Sequence, residues 1–214
     1  MSTVKALVLD FDGVIIESNQ VKTNAFIHVF GRFPEYKEEI MAFHYANVSM
    51  TRFLKFDYLL ELMGKTGNTE LKTNIADDFS KKVMESMFTV PLVKGAFNFL
   101  EMMSSRIPLF LASVTPEEEL VIILNERKLF RWFKGVYGCP PWTKSEAINN
   151  VLLRGNLRSE EVLLIGDSAG DQRCAVSTGV RFIARDSGLP FDEPKPIRFA
   201  DMDEINIYIN EELL

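Results

Sequence analysis

Val4-Lys5-Ala6-Leu7-Val8-Leu9-Asp10-Phe11-Asp12-Gly13-Val14 is the stretch on which the fold of this chain turns. Its apolar run does not alternate with polar residues, so it predicts a strand buried on both faces, as in the interior of a parallel sheet. Asp10 ends that run, at the carboxyl edge where open α/β sheets bind their ligands. Residues two apart on an extended chain face the same side, so Asp10 and Asp12 point together. Gly13 then lets the chain turn away sharply. Two carboxylates side by side repel unless a cation binds or one proton is shared. The other reading of the pair is a helix-capping aspartate and a turn aspartate.

Working outward, short apolar runs recur at 107–112, 135–137, 162–165, 181–184 and 198–200. Longer helical patterns separate them, which predicts an α/β fold with a Rossmann-like parallel sheet. Thr115-Pro116-Glu117-Glu118 reads as a capping box with proline at the first helical position, and Thr143-Lys144-Ser145-Glu146 as a second box. Gly179 stands where a C-cap would end the helix that starts at Ser168. One interval breaks the alternation. From about Glu17 to Met87 the chain offers only helices, at 20–30, 35–45, 49–63 and 69–87, rich in Phe, Met and Leu. We expect a small all-helical domain, 17–87, inserted into an α/β domain made of 1–16 and 88–214.

Composition narrows the function. The 214 residues carry 47% hydrophobic and 25% charged side chains, a globular balance that excludes a disordered chain. A net charge of -6 argues against a nucleic-acid partner. No apolar stretch nears the roughly 18 residues a bilayer span needs, so no membrane partner is expected. Two cysteines, Cys139 and Cys174, are too few for a disulfide framework, and the start of the chain has no signal-peptide shape. A cytoplasmic location is the expectation.

Three further segments carry chemistry. Val162-Leu163-Leu164-Ile165-Gly166-Asp167-Ser168-Ala169-Gly170-Asp171 delivers a second carboxylate, Asp167, to the same sheet edge, with Asp171 one helical turn later. Acidic ends on two strands of one sheet suit Mg²⁺, which takes few carboxylates and leaves room for phosphate. An acid at position 171 also complements the helix dipole. Ser113 ends the run before Thr115 and has a hydroxyl to offer a phosphate oxygen, whereas Thr115 is accounted for by its capping box. Lys144 starts a helix, where its charge opposes the dipole and is better used on an anion.

Asp10-x-Asp12-Gly13-Val14, then Ser113, Lys144 and Gly166-Asp167-Ser168-x-x-Asp171, resemble in kind and order the four motifs of the haloacid dehalogenase superfamily. The helical insert falls where one branch of that superfamily, with phosphoglycolate phosphatases and β-phosphoglucomutases, carries a cap. The resemblance implies a phosphoric monoester hydrolase acting on a small phosphorylated metabolite. In it Asp10 is the nucleophile that becomes an aspartyl-phosphate, and Asp12 is the general acid/base. Mg²⁺ is held by Asp10, the Asp12 carbonyl and Asp167; Ser113 and Lys144 hold the phosphoryl group; Asp171 supports the metal shell. A sugar phosphomutase is the neighbouring alternative. Some of those carry an acid where this chain has Gly166, which favours hydrolysis. A non-catalytic phosphate-binding protein is the alternative of another class, against which every motif position holds a competent residue.

Substrate choice falls to the insert. His44, Asn47, Arg52 and Lys55 are the candidates there, with Arg52 and Lys55 on one helical face. The crossings near Ile15-Ile16 and at 89–93 are expected to act as hinges. Gly64-Lys65-Thr66 only imitates the end of a phosphate-binding loop, since Leu59 stands where its glycine belongs.

Overall fold

The computed structural model describes residues 3–213. They form two compact units, one from the chain up to Glu17 and again from Val90, the other Ser18–Thr89. The described residues form six strands: β1 (Ala6–Leu9), β2 (Leu109–Ser113), β3 (Phe133–Gly138), β4 (Val162–Gly166), β5 (Arg181–Arg185) and β6 (Arg198–Phe199). The helices are α1 (Asn19–Phe30), α2 (Lys37–Ala46), α3 (Arg52–Leu62), α4 (Thr69–Met87), α5 (Ala96–Ser104), α6 (Glu117–Glu126), α7 (Lys144–Gly155), α8 (Ala169–Thr178) and α9 (Met202–Glu212).

All six strands lie in one parallel sheet in the order β3-β2-β1-β4-β5-β6. This is the α/β fold expected from the unalternating runs. The chain builds outward from β1 to β3, then returns through α7 to place β4 on the other side of β1. Right-handed crossovers in opposite directions put helices on both faces of the sheet. On one face Ala6, Val8, Val162 and Leu164 pack with Ala147, Ile148 and Val151 of α7 and with Cys174 and Ala175 of α8. Leu7, Leu9, Leu163 and Ile165, pointing the other way by alternation, are equally buried. Each such side chain is worth roughly 1.5–3 kcal/mol when fully buried. That apolar interior is what sustains a row of buried carboxylates at the sheet edge.

The two crossings between the units run side by side. Glu17 N donates to Pro91 O at 3.0 Å and Val93 N to Ile15 O at 3.0 Å, so Ile16 and Leu92 pair as a short antiparallel bridge. Arg185 grips the first crossing through Gly13 O (3.2 Å) and Glu17 (2.5 Å), and Arg127 grips the second through Val90 O (2.6 Å).

The unit Ser18–Thr89 contains α1 to α4 and no strand among the described residues. Its interior is aromatic: Phe30 meets Phe56 at 5.7 Å, and Phe56 meets Phe79 edge-on at 5.6 Å. Ile40, Leu59, Ile75 and Val83 fill the remainder. The Phe and Leu stripes are thus core, brought together by helical spacing. No helix among the described residues is long and apolar enough to cross a membrane.

Candidate active site

β1 lies between β2 and β4, so the carboxyl ends of all three strands meet where the strand order reverses. Asp10 N donates to Ile165 O at 2.9 Å, which sets Asp10 beside the end of β4 and the Asp167 that follows it. Beyond Asp10 the chain folds into a tight loop. Ile15 N donates to Phe11 O and Gly13 N to Ile16 O, with Gly13 at φ 73, a conformation side chains disfavour. Asp10 is only 6% exposed; its Oδ1 accepts from Phe11 N at 2.7 Å and from the Lys144 ammonium at 3.0 Å.

Lys144 heads α7 behind the expected capping box, in which Thr143 Oγ1 accepts from Glu146 N and Glu146 accepts from Thr143 N. Its side chain, 11% exposed, also pairs with Asp171. Asp171 sits in the first turn of α8, capped by Ser168. One of its oxygens, Oδ2, accepts from Asp167 N (3.2 Å), Ser168 N (3.2 Å) and Ser168 Oγ (2.6 Å), while Oδ1 takes Lys144. Both oxygens are therefore occupied. Asp171 can come this close because residue 166 is glycine: a Cβ there would lie 2.3 Å from the Asp171 Cβ. A side chain at 166, acidic or otherwise, has no room.

One carboxylate oxygen each from Asp10, Asp167 and Asp171 lies within 4.8 Å of the others, all buried. Burial is the largest influence on Asp10 and raises its pKa well above the usual carboxylate value. Lys144 pulls it back, and Asp171, Asp167 and Asp12 push it up. For Lys144, burial works against the charge, but Asp10 and Asp171 outweigh it and hold the ammonium protonated. The result is a pocket of hard oxygen donors with more negative than positive charge, which fits a small divalent cation such as Mg²⁺.

Asp12 is buried and turned toward the end of β2. Its Oδ2 accepts from Thr115 Oγ1 at 3.1 Å and from Ser113 Oγ at 3.5 Å, and Thr115 N donates to Ser113 Oγ at 3.1 Å. Here the capping box expected at Thr115 is corrected. α6 begins at Glu117 with Pro116 in the cap position and no side-chain cap bond. The helix starts one residue later than that box requires, and the Thr115 hydroxyl donates to Asp12, a charged and buried acceptor. Thr115 is the site residue that sequence reasoning misses. The signal was its position two residues after Ser113, masked by the proline and glutamates that follow.

The four residues expected to choose a substrate all lie in the helical unit, but they divide into separate groups. Asn47 Nδ2 donates to Phe43 O at 2.9 Å and closes the end of α2. Arg52 donates to Ser80 Oγ at 2.7 Å and lies over the Phe79 ring at 5.1 Å, so it ties α3 to α4. His44 and Lys55 instead share a neighbour. The His44 ring stacks on Phe26 at 4.2 Å, and Lys55 Nζ sits 5.9 Å from the same ring. The expectation of Arg52 and Lys55 on one basic face gives way to two heads with different surroundings.

A family model described as haloacid dehalogenase-like hydrolase matches residues 7–185. Among solved structures, the chain is similar to a predicted phosphoglycolate phosphatase from Haemophilus somnus, at 17% identity and TM-score 0.79, covering 99% of this chain and 100% of that one. A predicted phosphatase from Clostridium acetobutylicum gives 20% identity and TM-score 0.75, with 98% and 100% covered. YfnB from Bacillus subtilis, solved bound to magnesium, gives 18% and 0.72, with 98% and 100% covered. At these identities the likeness shows the shared fold. No curated protein matches the chain by sequence.

Proposed function

Because this chain belongs to the haloacid dehalogenase-like hydrolase family, we propose that it is a Mg²⁺-dependent phosphatase of small phosphorylated metabolites. The observation that carries the reading is Asp10 itself, a buried carboxylate at the sheet edge with the Lys144 ammonium 3.0 Å from its Oδ1. Burial raises the Asp10 pKa and so disfavours the ionised, nucleophilic form, and Lys144 opposes that.

Asp10 attacks phosphorus while the bond from phosphorus to the ester oxygen breaks, giving an aspartyl-phosphate and an alcohol. Splitting one hard displacement into two easier ones is the gain from a covalent route. Asp12 gives its proton to the departing oxygen, then takes one from the water that attacks the aspartyl-phosphate. Phosphate leaves and Asp10 is restored. The Thr115 and Ser113 hydroxyls orient the Asp12 carboxyl, and Lys144 neutralises the phosphoryl oxygens, as Ser113 does by hydrogen bonding. Asp10, Asp167 and the Asp12 carbonyl would hold Mg²⁺, which supplies charge neutralisation at the phosphoryl group. Asp171, both oxygens already engaged, positions Lys144 and the loop that carries Asp167.

Hydrolysis is favoured over a mutase reaction by the crowded position 166. In this reading the helical unit is a cap that recognises the part of the substrate beyond the phosphate. The free cysteines Cys139 and Cys174 and the net charge of -6 support a cytoplasmic enzyme of metabolites rather than a nucleic-acid partner.

The test is turnover of a panel of phosphate esters with and without chelator, with Asp10→Asn as control and mass spectrometry of the quenched enzyme. We expect chelator and Asp10→Asn each to abolish release of phosphate, and a phosphorylated Asp10 in the wild type. Near wild-type turnover by Asp10→Asn would refute the nucleophile. Transfer to a second hydroxyl of the substrate, with no free phosphate, would make the enzyme a mutase.

A further inference from the structure

β5 ends on Arg185, at the same carboxyl edge as Asp10, with β4 between it and β1. A guanidinium at such an edge suits an anion, yet its donors are committed within the protein. Nη1 donates to the Gly13 carbonyl at 3.2 Å and to Glu17 Oε2 at 3.1 Å. Nη2 donates to Glu17 Oε1 at 2.5 Å, and Nε to Ala200 O at 3.3 Å. All three partners belong, with Arg185, to the α/β unit. Arg185 is 12% exposed but Glu17 is 40% exposed, and ion pairs open to water add little to stability. What the fork holds in place explains it better than what it stabilises.

It holds the loop that presents Asp12. Gly13 follows Asp12 directly at φ 73, and glycine imposes almost no torsional restraint of its own. The course of the backbone from Asp12 to Val14 is therefore set by hydrogen bonds. Gly13 N donates to Ile16 O at 2.8 Å inside the loop, and Arg185 takes the Gly13 carbonyl from outside it. Glu17, at the far end of the loop, is fixed by its carboxylate to the same guanidinium and by its N–H to Pro91 O at 3.0 Å. One planar group thus ties both ends of 13–17, and its paired bonds to a carboxylate resist twisting. From the opposite side, Thr115 and Ser113 hold the Asp12 carboxyl. Asp12 is fixed twice, by its carboxyl from the β2 side and through the next peptide from β5.

We propose that Arg185 is a positioning residue for Asp12: it fixes the backbone that carries the acid/base carboxylate, and so sets how well a proton reaches the departing oxygen. The part played in turnover rests on the phosphatase reading given above; the clamp on the loop does not. Proton transfer works only within hydrogen-bond reach, and a misplacement of about 1 Å can cost about 10²-fold in rate. How much that proton matters depends on the leaving group. An alkoxide must be protonated as it departs, whereas a nitrophenolate is stable without it. Loosening the clamp therefore penalises alkyl esters and spares nitrophenyl esters.

The experiment has a structural arm and a kinetic arm, both on the full chain. In metal-free protein, hydrogen exchange read by NMR should show the Gly13, Ile15 and Ile16 amides, all bonded within the loop, exchanging about tenfold or more faster in Arg185→Met. Amides of β1 and β4 should keep their wild-type rates. With Mg²⁺ present, Arg185→Met should lower kcat/KM about 10- to 100-fold for an alkyl phosphate, and less than about threefold for p-nitrophenyl phosphate. Arg185→Lys keeps the charge without the fork and should fall between. Glu17→Gln weakens the grip and leaves the Gly13 contact, so it should move the alkyl-to-aryl ratio the same way by about threefold; it carries the kinetic arm if Arg185→Met does not fold. A merely structural role would lower both esters together. Loop amides unmoved in Arg185→Met, or β1 and β4 accelerated as much, overturn the clamp. An unchanged alkyl-to-aryl ratio overturns the positioning of Asp12. If the loop amides respond but the wild type turns over no ester of the panel, the phosphatase reading fails while the clamp stands.

Discussion

Replacing the proposed nucleophile should make the metal-free protein more stable. Asp10 Oδ1 lies 3.0 Å from Lys144 Nζ, an attraction of about 5 kcal/mol at an effective dielectric constant of about 20. Its carboxylate also lies within 4.8 Å of those of Asp167 and Asp171. Each of those repulsions is worth at least about 3 kcal/mol on the same scale. Together they exceed the attraction, and the desolvation of a buried charge adds to the excess. Asp10→Asn removes the charge, keeps an oxygen to accept from Phe11 N, and leaves Lys144 its bond to Asp171. In chelator near neutral pH we expect a gain of about 0.5–2 kcal/mol, the range known for single stabilising substitutions. The sign depends on pH. Because the folded pKa of Asp10 is raised above 3.8, the folded state holds its proton more tightly than the unfolded state does. The contribution of Asp10 to stability is therefore fully present below about pH 4 and is lost as pH rises through the folded pKa. The advantage of Asn should shrink toward pH 4, where the wild-type carboxyl is itself neutral. Urea unfolding followed by tryptophan fluorescence suits the measurement, since Trp132 and Trp142 both belong to the α/β unit. Saturating Mg²⁺ should reverse the order, because the wild type binds it better. An Asp10→Asn protein no more stable than wild type near neutral pH, or a gap that stays constant on acidification, would refute the charge balance.

Three other outcomes follow from the same geometry. Asp12→Ala should lower turnover about 10²–10⁴-fold while binding of inorganic phosphate with Mg²⁺ persists, since the carbonyl at that position remains; isothermal titration alongside kinetics separates the two. Thr115→Val removes the 3.1 Å bond to Asp12 and should lower kcat about tenfold with KM little changed, and Thr115→Ser should recover it; a matched loss in KM would point to disturbed packing instead. His44 is held neutral with its pKa lowered to about 4, so the unfolded chain binds its proton first and the helical unit should lose stability as pH falls from about 6.5 to about 4. His44→Phe should flatten that loss in hydrogen-exchange measurements on 18–89.

Local pattern alone determined a good deal of this protein. The unalternating run before Asp10 identifies a strand buried on both faces, and its repetition through β5 identifies a parallel sheet, because only such a sheet asks for apolar residues on both sides. Asp10, Asp12 and Asp167 are legible for the same reason, since carboxylates at the ends of buried strands have few structural uses. The four helices of the insert are legible from their spacing, and α4 was expected with the bounds it has, Thr69–Met87. What required the tertiary structure is every bond made between distant segments. Thr115 reads locally as a cap and is spent on Asp12, 103 residues away. Asp171 reads as a first-turn acid and proves to bind Lys144, admitted by the missing side chain at Gly166. Arg52 and Lys55 share a helical face by count, yet long flexible side chains end where their neighbours draw them, one to Ser80 and one beside Phe26. Sequence spacing specifies which way a Cβ points; which partner a polar head finds depends on segments that meet only once the chain has folded.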